Sequence, residues 1–175
     1  TLSLQVYASS TETGSSSVTQ SAAQQLDVFF INVLDPPTLT TSSQTSNEDQ
    51  NITSGLSLGL GVATPEGQQQ EVYLTMVGSD GSDAAVSEFY SLFGTSLVDG
   101  SSVEITKDSS NFFAIDTSQI SISSLKLRAQ ENYSSYRTSD DTADTFRLKA
   151  RALEEGSGSE PSQYATSDFT VTITP

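Results

Sequence analysis

The sequence predicts an all-β protein: an antiparallel β-sandwich with one short inserted helix, preceded by the terminal hairpin of an adjacent sandwich unit. Three observations carry this expectation. Short stretches alternate apolar and polar residues with the period of a half-buried strand. Clusters of Gly, Ser, Asn and Asp separate those stretches. The start of the chain also repeats the design of its end, as tandem arrays do.

In chain order, "TLSLQVYA" (1–8) alternates through Leu2, Leu4, Val6 and Ala8, and "LDVFFINVL" (26–34) is a more apolar strand. The Ser- and Thr-rich segment between them has no apolar period and reads as a hairpin loop. Two strands alone cannot build a core in water, so residues 1–37 are expected to be the terminal hairpin of a preceding unit plus a linker. Asp35-Pro36-Pro37 supplies a stiff hinge, because proline stops the outgoing strand. The chain opens inside a strand-like pattern and is expected to be a piece of a longer polypeptide.

Residues 38–175 read as one complete sandwich. "NITSGLSLGLGVA" (51–63) is its expected first strand, followed by "EVYLTMV" (71–77), "SVEITK" (102–107), "NFFAI" (111–115) and "SLKLRA" (124–129). In "SDAAVSEFYSLFG" (82–94), Val86, Phe89, Tyr90 and Phe93 fall at helical spacing, with Ser82 or Asp83 placed to cap the start and Gly94 the end. The final hairpin pairs Phe146, Leu148, Ala150 and Ala152 with Phe169, Val171 and Ile173. Its loop begins Glu154-Glu155-Gly156, matching Glu12-Thr13-Gly14 in the first hairpin. Many short strands bounded by turn residues point to a sandwich of immunoglobulin-like design.

Composition narrows function. Asp and Glu number 22 against 7 Lys and Arg, a formal net charge of −15. Phosphate backbones and anionic membrane surfaces need the opposite sign, whereas divalent cations suit this surface. With no Cys and no His, disulfides, thiolate sites, the usual zinc ligands and the usual general base are excluded. No stretch approaches the ~20 apolar residues of a membrane-spanning helix.

The stretch "SNEDQNITSGLSLGLGVATPEGQQQEVYLTMVG" resembles the opening of the tandem β-sandwich repeats of giant bacterial RTX-type adhesins. "FFAIDTSQISISSLKLRAQENYSS" is similar to their aromatic strand, turn, Leu-rich strand and Asn-containing loop. "FRLKARALEEGSG" and "LSLQVYASSTETGSSSVTQSAAQQ" resemble the penultimate strand running into an acidic loop. The acidic turn of those repeats appears here as Pro65 to Glu71, longer and poorer in acid. The resemblance implies a secreted module at the bacterial cell surface, contributing to cell adhesion and biofilm formation.

In an immunoglobulin-like sandwich the start of the first strand, the loop after the second and the final hairpin loop share one pole. With 51–63 as the first strand, Glu48 and Asp49 precede it, Glu66 and Glu71 flank the next turn, and Glu154 opens the last loop. Asp35 arrives from the linker. Calcium takes ~6–8 oxygen ligands at ~2.3–2.6 Å, so the expected cofactor is Ca2+ in an interdomain site that stiffens the hinge. Asp80 and Asp83, with Asp140, Asp141 and Asp144, form a second acidic set that reads as solvated loops.

An enzyme is not expected. A serine nucleophile needs a positioned base, and the Ser-x-x-Lys of Ser123 to Lys126 falls inside a strand, where spacing by three turns the two side chains to opposite faces. "GLSLGLG" lacks the helix and Lys of a phosphate loop. The expected role is a calcium-stiffened extender, monomeric, whose partners are neighbouring repeat units of its own chain. The alternative is a module that binds a peptide or glycan on a target cell. Phe112 and Phe113 separate the two readings, since an exposed aromatic floor there favours the binder.

Overall fold

The structure is a computed structural model and describes residues 2–11, 13–14, 16, 18–28, 32–48, 54–64, 68–135, 143–153 and 159–175. The chain divides into two compact units, Thr1–Asn32 and Val33–Pro175. In the first, β1 (Leu2–Val6) pairs antiparallel with β4 (Gln24–Val28), placing Leu4 opposite Leu26. Beyond them β2 (Ser9–Thr11) pairs with β3 (Val18–Gln20). Leu4, Val6 and Leu26 keep 43%, 56% and 54% of their surface exposed, so the apolar alternation of this hairpin has no core to enter.

The remaining strands are β5 (Asn32–Val33), β6 (Thr38–Thr40), β7 (Gln44–Asn47), β8 (Leu56–Ser57), β9 (Gly61–Ala63) and β10 (Gln70–Val77). They continue as β11 (Asp83–Ala84), β12 (Tyr90–Ser96), β13 (Ser102–Ile105) and β14 (Phe113–Ile115). The long closing strands are β15 (Ile120–Ala129), β16 (Asp144–Ala152) and β18 (Ala165–Thr174), with the short β17 (Ser159–Glu160) before the last.

One sheet runs β11-β10-β16-β18-β7, with β14 also on β10; the other runs β13-β12-β15-β8. Strict alternation drives their packing. Phe146, Leu148 and Ala150 of β16 and Phe169, Val171 and Ile173 of β18 turn inward from the first sheet. They meet Tyr90, Leu92, Leu125 and Leu127 of the second. All of these side chains are buried. This is the expected all-β sandwich, and its interior is apolar.

Two expectations fail. There is no helix over 82–94: Asp83–Ala84 and Tyr90–Ser96 are strands joined by a short connection. Along β12, Tyr90, Leu92 and Gly94 turn inward while Ser91 and Phe93 turn out, a period of two that the helical count of Val86, Phe89, Tyr90 and Phe93 overlooked. Gly94 is no helix terminus either. It sits mid-strand where the register with β15 shifts, and a Cβ there would collide with Ile120 Cγ2.

The second failure concerns the first strand. Residues 38–47, which carry only Leu39 as an apolar anchor, form β6 and β7. The "NITSGLSLGLGVA" segment comes after them. Its described part holds a helical Ser54 and then two short strands, with Leu58 and Leu60 buried between them.

Candidate functional site

The position of β7 decides where the predicted metal ligands fall. It runs parallel with β18, Gln44 beside Val171 and Asn47 beside Thr174. On the other side of β18, β16 runs antiparallel, with Asp144 beside Val171 and Ala150 beside Ala165. Glu48 therefore follows the end of β7 at the pole of Asp144 and Thr174. Glu71, which pairs with Arg151, lies at the opposite pole. From Asp144 to Arg151 along β16 is about 23 Å at a strand rise of ~3.3 Å per residue.

No ion with ligands at ~2.3–2.6 Å can take both Glu48 and Glu71. Glu48 and Glu71, expected at one pole, lie at opposite ones, because Asn47 ends the strand β7. Asp49, Glu66 and Glu154 lie outside the described residues. Asp35 is exposed and Glu48 half-buried. Among the described residues no three acidic side chains gather as a metal-binding group.

Glu71 is engaged elsewhere. Its Oε2 accepts from Arg151 Nε at 2.5 Å and from the Tyr164 hydroxyl at 2.6 Å. Its Oε1 accepts from the Tyr73 hydroxyl at 2.8 Å. A carboxylate offers about four lone-pair positions, so three donors, one a guanidinium that repels cations, leave little for calcium. Burial pushes the Glu71 carboxyl up, but hydrogen bonds from Tyr164, Tyr73 and Arg151 outweigh it and hold the group below its ordinary value.

That pair belongs to a stripe. Arg147, Lys149 and Arg151 alternate with Phe146, Leu148 and Ala150 along β16, so all three point to the outer face. Arg147 forks onto Asp168 of β18 at 2.7 and 2.9 Å and reaches Asp83 of β11 at 3.1 Å. Lys149 meets Asp83 at 2.8 Å and lies over the Tyr164 ring, as Arg151 does. Three of the seven basic residues thus tie β10, β11, β16 and β18 together on one face. Bidentate and shared pairs of this kind contribute more than isolated surface pairs.

The second acidic set also resolves into partners. Asp80 Oδ1 accepts from the Ser82 N–H and hydroxyl, closing a turn. Asp99 with Ser101 and Asp116 with Ser118 repeat the device. Asp83 bridges Lys149 and Arg147. Asp144 Oδ2 accepts from the hydroxyls of Tyr90 at 2.5 Å and Tyr133 at 2.6 Å. Asp140 and Asp141 lie outside the described residues.

The rings of Phe89, Phe93, Phe112 and Phe113 are buried or half-buried. Phe113 is buried, with Lys107 Nζ 5.2 Å from its ring centre, and Phe112 is half-buried. Phe89 stacks on Tyr133, and the Phe93 ring carries Arg128 4.4 Å from its centre. Lys107 also donates to the carbonyls of Val86 and Ser87, which holds it beside the Phe113 ring. No protein-family model matches the chain, and no curated protein matches it.

Proposed function

We propose that this chain is a calcium-stiffened extender from a bacterial cell-surface adhesin of the RTX type, working outside the cell in adhesion and biofilm formation. The observation that carries the reading is the parallel pairing of β7 with β18. It brings the chain into the second unit beside Ser167, where Thr41 bonds it, and sends the last strand toward the opposite pole at Thr174. A module built this way adds its length to an array instead of doubling back.

Two further features support the reading. The first unit is a hairpin of the same design as the β16–β18 hairpin, with Leu4, Val6 and Leu26 exposed where its counterpart buries Phe146, Leu148 and Val171. It is the end of a preceding sandwich in this account. The rings of Phe112 and Phe113 form no open aromatic floor, which favours the extender over a peptide- or glycan-binding module.

Calcium is taken by the acidic residues of the expected set other than Glu71: Asp35, Glu48, Asp49, Glu66 and Glu154. Glu71 is removed from the set by Arg151. Calorimetric titration of the full chain with calcium, with magnesium as control, tests this. Calcium binding is expected, weakened in Glu48→Gln and in Asp49→Asn and unchanged in Glu71→Gln. No heat of binding in the unaltered chain contradicts the calcium reading.

A further inference from the structure

We infer that the second unit carries tension through a shear clamp formed by its incoming and outgoing strands. The clamp is the parallel ladder between β7 and β18, from Gln44 beside Val171 to Asn47 beside Thr174. Side chains lengthen it at its Gln44 end and reinforce it at the other. Thr41 Oγ1 lies 2.8 Å from Ser167 Oγ, the Thr170 N–H donates to Ser43 Oγ, and the Thr174 hydroxyl donates to the Ser46 carbonyl. The outgoing strand is also held from its other side. From Ala165 to Val171 it pairs with β16. Near its end the Ile173 carbonyl accepts from the Ser135 N–H and the Ser134 hydroxyl, and the Ile173 N–H donates to Ser135 Oγ.

Direction makes this a clamp. A pull that draws residue 38 and residue 175 apart acts along the strand axis, and in a parallel pair the two strands are then drawn in opposite senses. The inter-strand bonds of a parallel pair are evenly spaced and run slantwise between the strands, so they bear the pull together and must fail together. An antiparallel hairpin joining the same two positions would open one bond at a time. β6 adds a second ladder ahead of the first, pairing with β9 from Thr38–Ala63 to Thr40–Gly61. The purpose of the clamp rests on the extender reading; its geometry does not.

Single-molecule force spectroscopy on the full chain, at one calcium concentration, tests it by loading the same ladder in two directions. Handles at Pro36→Cys and Pro175→Cys shear β7 against β18 and keep the first hairpin out of the force path. Handles at Asn47→Cys and Pro175→Cys pull on paired strand ends and unzip the ladder. Forced unfolding reports the barrier directly. The shear pair is expected to unfold at no less than twice the force of the unzipping pair. Equal forces overturn the clamp, whether both are high or both low. A chain that fails to bind calcium leaves this ratio untouched, so the two readings fail separately.

Discussion

Arg151 Nε stands 2.5 Å from Glu71 Oε2, and the Tyr164 hydroxyl shares that oxygen at 2.6 Å. The pairing predicts how Glu71 behaves with pH. Its folded value lies below its ordinary one, so its stabilisation is fully present above the unfolded glutamate pKa of ~4.3 and is lost as pH falls through the folded value. Glu71→Gln should cost about 1.5–3 kcal/mol at pH 7, the range for a hydrogen bond to a charged group. It should also flatten the acid limb of stability. Urea midpoints from pH 7 down to pH 3, taken in chelator and in calcium, check this; the loss should be equal in both.

Tyr90 governs the alkaline side. Burial first, and then its bond to Asp144, push its pKa well above the tyrosine range. A raised folded value means that the stabilisation is complete below the unfolded pKa of ~10 and declines as pH rises beyond it. Tyr90→Phe should cost about 1 kcal/mol at neutral pH, as one hydrogen bond does. Between pH 9 and 11 its stability should fall less steeply than that of the unaltered chain. Parallel slopes would place the alkaline loss on other groups.

Gly94 is set by steric room, since its φ is not in the left-handed region. A methyl group there meets Ile120 Cγ2, with Leu125 Cδ2 at 3.3 Å behind it. Gly94→Ala should destabilise by about 1–3 kcal/mol, the usual range for overpacking. Combined with Ile120→Ala it should cost less than the sum of the two single changes. Strict additivity in a double-mutant cycle would mean that the contact is not the cause.

The sandwich was legible wherever one face of a strand is apolar. β16 and β18 alternate cleanly, as does β15 from Leu125 to Ala129, and their inward residues belong to the core. The stripe Arg147, Lys149, Arg151 was equally open to the same period-two count, applied to the outer face, yet the acidic partners scattered through β10, β11 and β18 could not be paired without the topology. β6 and β7 were not legible, because an edge strand held by backbone bonds and by Ser and Thr hydroxyls needs little apolar character. Missing them put Glu48 at the pole of Glu71 in the expected site, whereas it follows β7 at the other. The 82–94 segment misled for another reason: Val86, Phe89 and Phe93 fit a helical stripe, and only pairing of Tyr90 with Ala129 and Leu92 with Leu127 selects the strand.

Thermal melting of the full chain in chelator and in ~10 mM calcium bears most directly on the calcium-stiffened extender. Extracellular calcium modules bind at ~0.1–1 mM. At ~10 mM calcium the linkage relation then gives about 1.4–2.7 kcal/mol, or a rise of about 4–10 °C for a unit of this size. The gain should shrink in Glu48→Gln and Asp49→Asn, whose melting in chelator should be unchanged or slightly raised by the loss of a like charge. A melting temperature that is the same in chelator and in calcium would contradict the account.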